Sequence, residues 1–135
     1  MKGIFSALLA LCMVVQGSAQ PNEMKEEKLI GKWLITSIQI DGQMKDVTDR
    51  LYEIEFNADG KMTSKVCNRM WGNYTTTGDS LSFGPIMSTK MMCDEIGYET
   101  ALGKVFMEAN GFEHEGDKII LVKGNKKLMV LSGLP

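Results

Sequence analysis

A chain of 135 residues, 44% hydrophobic and 24% charged, has the size and composition of one globular domain and no room for a second core. Fifteen basic residues against 17 acidic ones give a formal net charge of -2 with no basic stripe, which argues against nucleic acid as a partner. A domain of this size buries roughly two-thirds of the surface its unfolded chain exposes, a modest core that gains from a covalent staple.

Residues 1–19 read as a signal peptide. Lys2 supplies a positive start, Ile4 to Val15 is an apolar run of twelve residues, and Gly17-Ser18-Ala19 offers the small side chains that a signal peptidase reads. The run is well short of the roughly 20 residues of a spanning helix, so the mature chain is expected to carry no transmembrane segment. Leu9-Ala10-Leu11-Cys12 looks like a lipobox, but Leu11 stands where a small residue is needed and Met13-Val14-Val15 carries the apolar run past the cysteine. Cleavage after Ala19 is therefore expected in preference to lipoprotein anchoring through Cys12. The product would be periplasmic, in the cell envelope or extracellular, with Cys67 and Cys93 as its only thiols. Two cysteines in an oxidising compartment usually pair. Their bond would close a loop of 26 positions, worth about 3 kcal/mol in the chain-entropy account.

Residues 20–28 are polar and charged and contain Pro21, which reads as a flexible segment leading into a single domain over 29–135. Gly31 to Ile40 is rich in β-branched and aromatic residues and reads as a strand that stops at the turn pair Asp41-Gly42; a polar loop to about Arg50 follows. Next comes a hairpin whose register is fixed by pattern. With Ala58-Asp59-Gly60 as a three-residue loop and Gly60 at positive φ, Tyr52, Ile54 and Phe56 share a face with Met62, Ser64 and Val66. Glu53 and Glu55 then share the other face with Lys61 and Lys65, and a slip by one residue would drive both glutamates into the core.

Trp71 to Thr76 and Ser80 to Phe83 read as strands around a Thr77-Gly78-Asp79 turn, and Pro85 ends the second. Tyr98, Ala101, Leu102, Val105, Phe106 and Ala109 recur at the spacing of one helical face. Asp94 is the expected N-cap of this helix, and Asn110-Gly111 the expected left-handed stop. Phe112 to Glu115, Asp117 to Lys123 and Lys126 to Leu131 complete the chain as strands joined by turns at Gly116 and Gly124. The expected fold is α+β but mostly β: a curled antiparallel sheet, a half-barrel of about eight short strands, with one helix covering an open side.

The segment Val66-Cys67-Asn68-Arg69-Met70-Trp71-Gly72-Asn73-Tyr74, then Leu81-Ser82-Phe83, then Thr89-Lys90-Met91-Met92-Cys93, resembles the META domain of the HslJ-like heat-shock protein family. The opening Gly31-Lys32-Trp33, Glu99 early in the helix and the closing Asp117-Lys118-Ile119-Ile120-Leu121 agree with it, so the resemblance spans nearly all of the mature chain. It implies a cell-envelope domain associated with stress tolerance, with no established catalytic site and no cofactor. Cys67, Asn68, Gly72, Thr89 and Cys93 match the family motifs and would carry structural roles.

The remaining candidates are weighed against simpler readings. There is no Cys-x-x-Cys pair, and His114 is not locally paired with either cysteine, so a catalytic thiol is disfavoured. Asn68 follows a cysteine at a strand end, where its amide would satisfy loop backbone groups. Met62, Met70, Met87, Met91 and Met92 with His114 could be imagined as a copper(I) sink, yet they show no regular spacing and read better as gap-filling core residues. Asn73-Tyr74-Thr75 matches a glycosylation sequon, a pattern common by chance. Glu113, His114 and Glu115 alternate faces of a strand and make a poor acid/base pair. The favoured function is that of a non-enzymatic exported protein, binding or stress-protective, with an envelope protein or a small ligand as its partner. The alternative is a lipocalin-like binder holding a small ligand inside the curled sheet.

Overall fold

The structure is a computed structural model that describes residues 29–47, 51–94 and 96–134. The expected signal peptide at 1–19 and the segment 20–28 lie outside the described residues. Among the described residues there are ten strands and one helix: β1 (Gly31–Ile40), β2 (Gln43–Asp46), β3 (Glu53–Phe56), β4 (Lys61–Lys65), β5 (Arg69–Thr77), β6 (Ser80–Phe83), β7 (Met87–Ser88), α1 (Ile96–Glu108), β8 (Gly111–Glu115), β9 (Lys118–Lys123) and β10 (Lys126–Gly133). No helix among the described residues is long and apolar enough to cross a membrane.

These strands form one antiparallel sheet, nine of them in the order β10-β9-β8-β6-β5-β4-β3-β1-β2 with β7 paired to β5 off this path, and β10 also pairs with β1, so the sheet curls into a ring. The curl is made by bulges. Ile35 opposes Leu131 and Ser37 opposes Val130, which leaves Thr36 as an extra residue in β1. That extra residue shifts the alternation by one, so Ile35 and Ile38, three apart, both reach the core. Leu128 is extra in β10 in the same way, and Leu128 and Met129 are both fully buried.

The β3–β4 hairpin has the expected register, with Phe56 opposite Met62, Ile54 opposite Ser64 and Glu53 opposite Lys65. Gly60 sits at φ 84° as the loop requires. Tyr52, Ile54, Phe56 and Met62 are buried, and the Ser64 hydroxyl on the same face donates to the Glu53 carbonyl at 2.8 Å. The polar loop expected after β1 is instead the edge strand β2, paired with β1 through a two-residue turn. Asp41 and Gly42 both adopt positive φ there, 52° and 81°, the geometry that suits a tight hairpin. All four β2 residues are exposed, so the segment carries no apolar alternation to announce it.

Helix α1 lies against β1 and β6. Its buried stripe of Ala101, Leu102, Val105 and Phe106 is the expected one, although α1 begins two residues beyond Asp94. The expected left-handed stop is not formed. Asn110 and Gly111 are absent from the positive-φ set, the Asn110 amide donates to the Val122 carbonyl at 2.9 Å, and Gly111 opens β8 directly. A run of aromatic contacts ties the layers together: Tyr74 to Phe56 at 5.0 Å, Phe56 to Phe83 at 6.2 Å and Phe83 to Phe106 at 4.8 Å between ring centres. Phe56, Leu121 and Met129 are fully buried, and the half-buried Trp33 and Phe83 pack against the same core.

Gly72 is where the sheet and the segment beyond β6 come closest. A Cβ there would lie 2.7 Å from Ile86 Cδ1 and 2.8 Å from the Pro85 carbonyl oxygen, and the latter belongs to backbone that cannot turn aside. Gly72→Ala is expected to destabilise the fold by about 1–3 kcal/mol in urea titrations. Gly103→Ala, in α1 with nothing within 4 Å of its added methyl, should stabilise by about 0.5–1 kcal/mol. Equal effects of the two substitutions would contradict this reading.

Candidate functional site

Two features stand out on the half of the molecule built by β4, β5, β7 and the start of α1. The first is a clamp. Cys67 and Cys93 are disulfide-bonded, with 6.2 Å between their Cα atoms, which ties the entry of β5 to the approach of α1. Beside the bond, Asn68 is 3% exposed and every polar group of its side chain is engaged. Its Oδ1 accepts the Met91 amide at 2.7 Å and the Thr89 hydroxyl at 3.0 Å. Its Nδ2 donates to the Met91 carbonyl at 3.2 Å and to Glu99 Oε2 at 2.8 Å. The side-chain amide thus pairs with a backbone peptide as a neighbouring strand would.

Glu99 completes the clamp from the first turn of α1. Its Oε1 accepts the Asn68 backbone amide at 2.9 Å, so one carboxylate receives both donors of a single residue. A carboxylate there also faces the positive end of the helix. Thr89 works in both directions, accepting the Arg69 amide at 3.0 Å on its hydroxyl and donating its own amide to the Arg69 carbonyl at 3.0 Å. Among the described residues the clamp is chemically saturated: its oxygens and nitrogens hold one another.

Asn68, Thr89, Cys67 and Cys93 are therefore brought together, whereas Gly72 lies three residues further along β5, under Pro85 and Ile86. Glu99 is the participant whose role sequence reasoning missed. It stands three residues before Leu102 and seven before Phe106, on the buried face of α1, and a carboxylate in an apolar stripe is a signal that could have been used. The methionines do not converge. Met62 and Met70 are buried while Met87, Met91 and Met92 are exposed, so they do not face one point. His114 packs edge-on against Phe112 at 5.8 Å on β8, and Glu113 and Glu115 point to solvent.

The second feature is a groove of about 600 Å³ on the outer face of β4, β5 and β7. Outward residues of β5 are Arg69, Trp71 and Asn73; β4 sets Thr63 opposite Trp71 and Lys61 opposite Asn73, and β7 sets Met87 opposite Trp71. Asn57 and Pro85 close the sides. Trp71 is half-buried and Met87 is 57% exposed, which leaves an aromatic and thioether floor open to solvent.

An antiparallel, ring-closed sheet stapled through a Cys-Asn motif to a covering helix defines the class. The META domain family model matches residues 27–133, and the chain belongs to the META domain family. Three solved structures share the fold. One is an NMR structure of a protein 19% identical to this chain, with a TM-score of 0.61 over 84% of this chain and 94% of that one. The second is an NMR structure of a protein from Burkholderia xenovorans, 21% identical, with a TM-score of 0.62 over 85% of this chain and 90% of that one. A crystal structure of a DUF4847 family protein from Bacteroides vulgatus is 13% identical, with a TM-score of 0.61 over 82% of this chain and 97% of that one. No curated protein matches the chain.

Removing the clamp amide should be costly. Asn68→Ala strands the Met91 amide and Glu99 Oε2, an expected loss of about 3 kcal/mol in denaturant unfolding. The Cys67→Ser, Cys93→Ser pair should cost about 3 kcal/mol as well. Both act on the same segment, so their effects should be non-additive by more than about 0.5 kcal/mol in a double-mutant cycle. Strict additivity would show that bond and amide act independently.

Proposed function

We propose that this META-domain chain is an exported, non-enzymatic protein of the cell envelope that acts by binding, in a stress-protective role. Its domain boundaries would be a signal peptide at 1–19, a linking segment at 20–28 and the folded unit from 29. The observation that carries the reading is the contrast between the two features of the site. Among the described residues the clamp around Asn68 directs its polar groups to one another and holds no nucleophile beside a free base, while the adjacent groove leaves an aromatic side chain and cations facing solvent. The Cys67–Cys93 bond fits an oxidising compartment, and Lys2 with the apolar run Ile4 to Val15 supplies the means of reaching it. Cys67, Asn68, Gly72, Thr89 and Cys93 act in this reading as the frame that holds the groove.

Cell fractionation with intact-mass measurement tests the export. The expected product begins at Gln20, is found in the envelope or medium, and is lighter by two hydrogens before reduction. Cross-linking capture from envelope fractions, with and without heat stress, tests the binding. Trp71→Ala should abolish capture and Arg69→Gln should weaken it several-fold, each leaving the unfolding midpoint within the range of surface substitutions. Full-length protein retained inside the cell with both thiols free would overturn the proposal, as would capture indifferent to both substitutions.

A further inference from the structure

The groove over β4, β5 and β7 combines three properties that restrict what it can hold. The first is charge. The chain as a whole is acidic, yet the ionisable groups lining this groove are Lys61 and Arg69, and neither has a carboxylate partner among the described residues. Arg69 and Asn73 stand four residues apart on β5, and Lys61 is opposite Asn73, so the two cations lie at opposite ends of the floor, about 13 Å apart along the strand.

The second property is unused hydrogen-bonding capacity. Among the described residues, the side-chain amides of Asn57 and Asn73, the Thr63 hydroxyl and the Trp71 indole N–H have no partner within the protein. Thr89 differs, because its hydroxyl is committed to the clamp. The third is the floor itself. Trp71 lies between Thr63 and Met87 and offers a flat, half-exposed aromatic face at the centre of a concavity whose size is typical of small-molecule sites.

Each property excludes a class. A peptide that adds as a strand needs free backbone groups, but β5 is already paired with β4 on one side and β7 on the other along this stretch. A membrane surface needs protruding apolar side chains, whereas Trp71 is half-buried in a concavity that amides and a hydroxyl also line. An apolar small molecule would cover the half-buried polar groups of Asn57, Thr63 and Trp71 without offering them partners. What remains is a ligand with flat C–H faces to stack on indole, hydroxyls for the amides, and anionic groups spaced along its length.

We propose that the Trp71 groove binds an acidic sugar chain: one ring stacks on Trp71, its hydroxyls meet Asn57, Asn73 and Thr63, and carboxylates on either side engage Arg69 and Lys61. Arg69 suits a carboxylate through its planar fork, and Lys61 acts as a point charge. The inference deepens the binding reading above and rests on it, since it names what the exported protein would hold.

The test is a titration of the mature, disulfide-bonded protein followed in nitrogen–proton NMR spectra. The probe is tetragalacturonate, set against its full methyl ester, a tetraglutamate peptide and phosphatidylglycerol vesicles. Trp71→Phe assigns the Trp71 indole resonance and separates it from that of Trp33, which is bonded to the Leu29 carbonyl at 2.8 Å. Saturable shifts of the Trp71 indole and of the Asn57 and Asn73 side-chain amides are expected. Binding should weaken by about tenfold or more in Trp71→Ala and by several-fold in Arg69→Gln, an exposed position whose loss does not threaten the fold. The methyl ester should bind at least about tenfold more weakly, and raising the salt should weaken the acid alone.

Absence of shifts at the groove, equal binding of the ester, or equal binding of the peptide or the vesicles would overturn the proposal. The two levels separate cleanly. If envelope capture depends on Trp71 while tetragalacturonate does not bind, the binding reading stands and the sugar assignment falls. If capture ignores Trp71 as well, both fall.

Discussion

The pair of hydrogen bonds that Asn68 donates to the Glu99 carboxylate is the constraint on which the rest of this half of the molecule depends. Thirty-one positions separate the two residues, and a buried carboxylate is tolerable only because both of its oxygens receive donors. Glu99 fixes the start of α1 over the sheet, Asn68 fixes the strand entry beneath it, and the same amide holds the passage through Thr89 and Met91 in place. The disulfide then lies beside a contact that is already specific. Its contribution is to limit how far the chain can open, while the amide and carboxylate decide where it closes.

This arrangement explains why the groove can sit where it does. The strands under Trp71 are pinned from behind by the aromatic contacts of Phe56, Tyr74 and Phe83, and at one end by the clamp. The Tyr74 hydroxyl adds a bond to the Asn57 carbonyl at 2.6 Å, which holds the loop bearing one of the groove amides. Side chains on the outer face are therefore held by a rigid sheet without being needed for its stability, which is the condition for a surface that can specialise in recognition.

Much of this was legible in the sequence where the pattern had a period. Glu53 and Glu55 alternating with Ile54 and Phe56 left a single acceptable hairpin register, and the spacing from Tyr98 to Ala109 left a single buried helical face. What escaped had no period. β2 is exposed at every position, so Asp41-Gly42 was read as the end of a strand when it is the turn of a hairpin. β7 is two residues long and follows Pro85, which masks it. Asn110-Gly111 has the composition of a helix stop, but Gly111 is required for closeness: a Cβ there would meet the Asp79 carbonyl at 3.1 Å. The structural role of Asn68 could be read locally. That of Glu99 depends on a contact across the fold, and local pattern does not encode it.

One junction in the ring differs from all the others. β6 and β8 share a single residue pair, Ser80 with Gly111, supported by the Leu81 amide on the Asn110 carbonyl and the Phe112 amide on the Asp79 carbonyl. Neighbouring strands elsewhere are laced along most of their length, so thermal opening of the ring begins here, and these amides trade hydrogen with solvent sooner than those of β9. The molecule is thus mechanically uneven: β9 is sewn to β8 and β10 along its length, while the next seam, between β8 and β6, is nearly unsewn, with the helix resting against one lip.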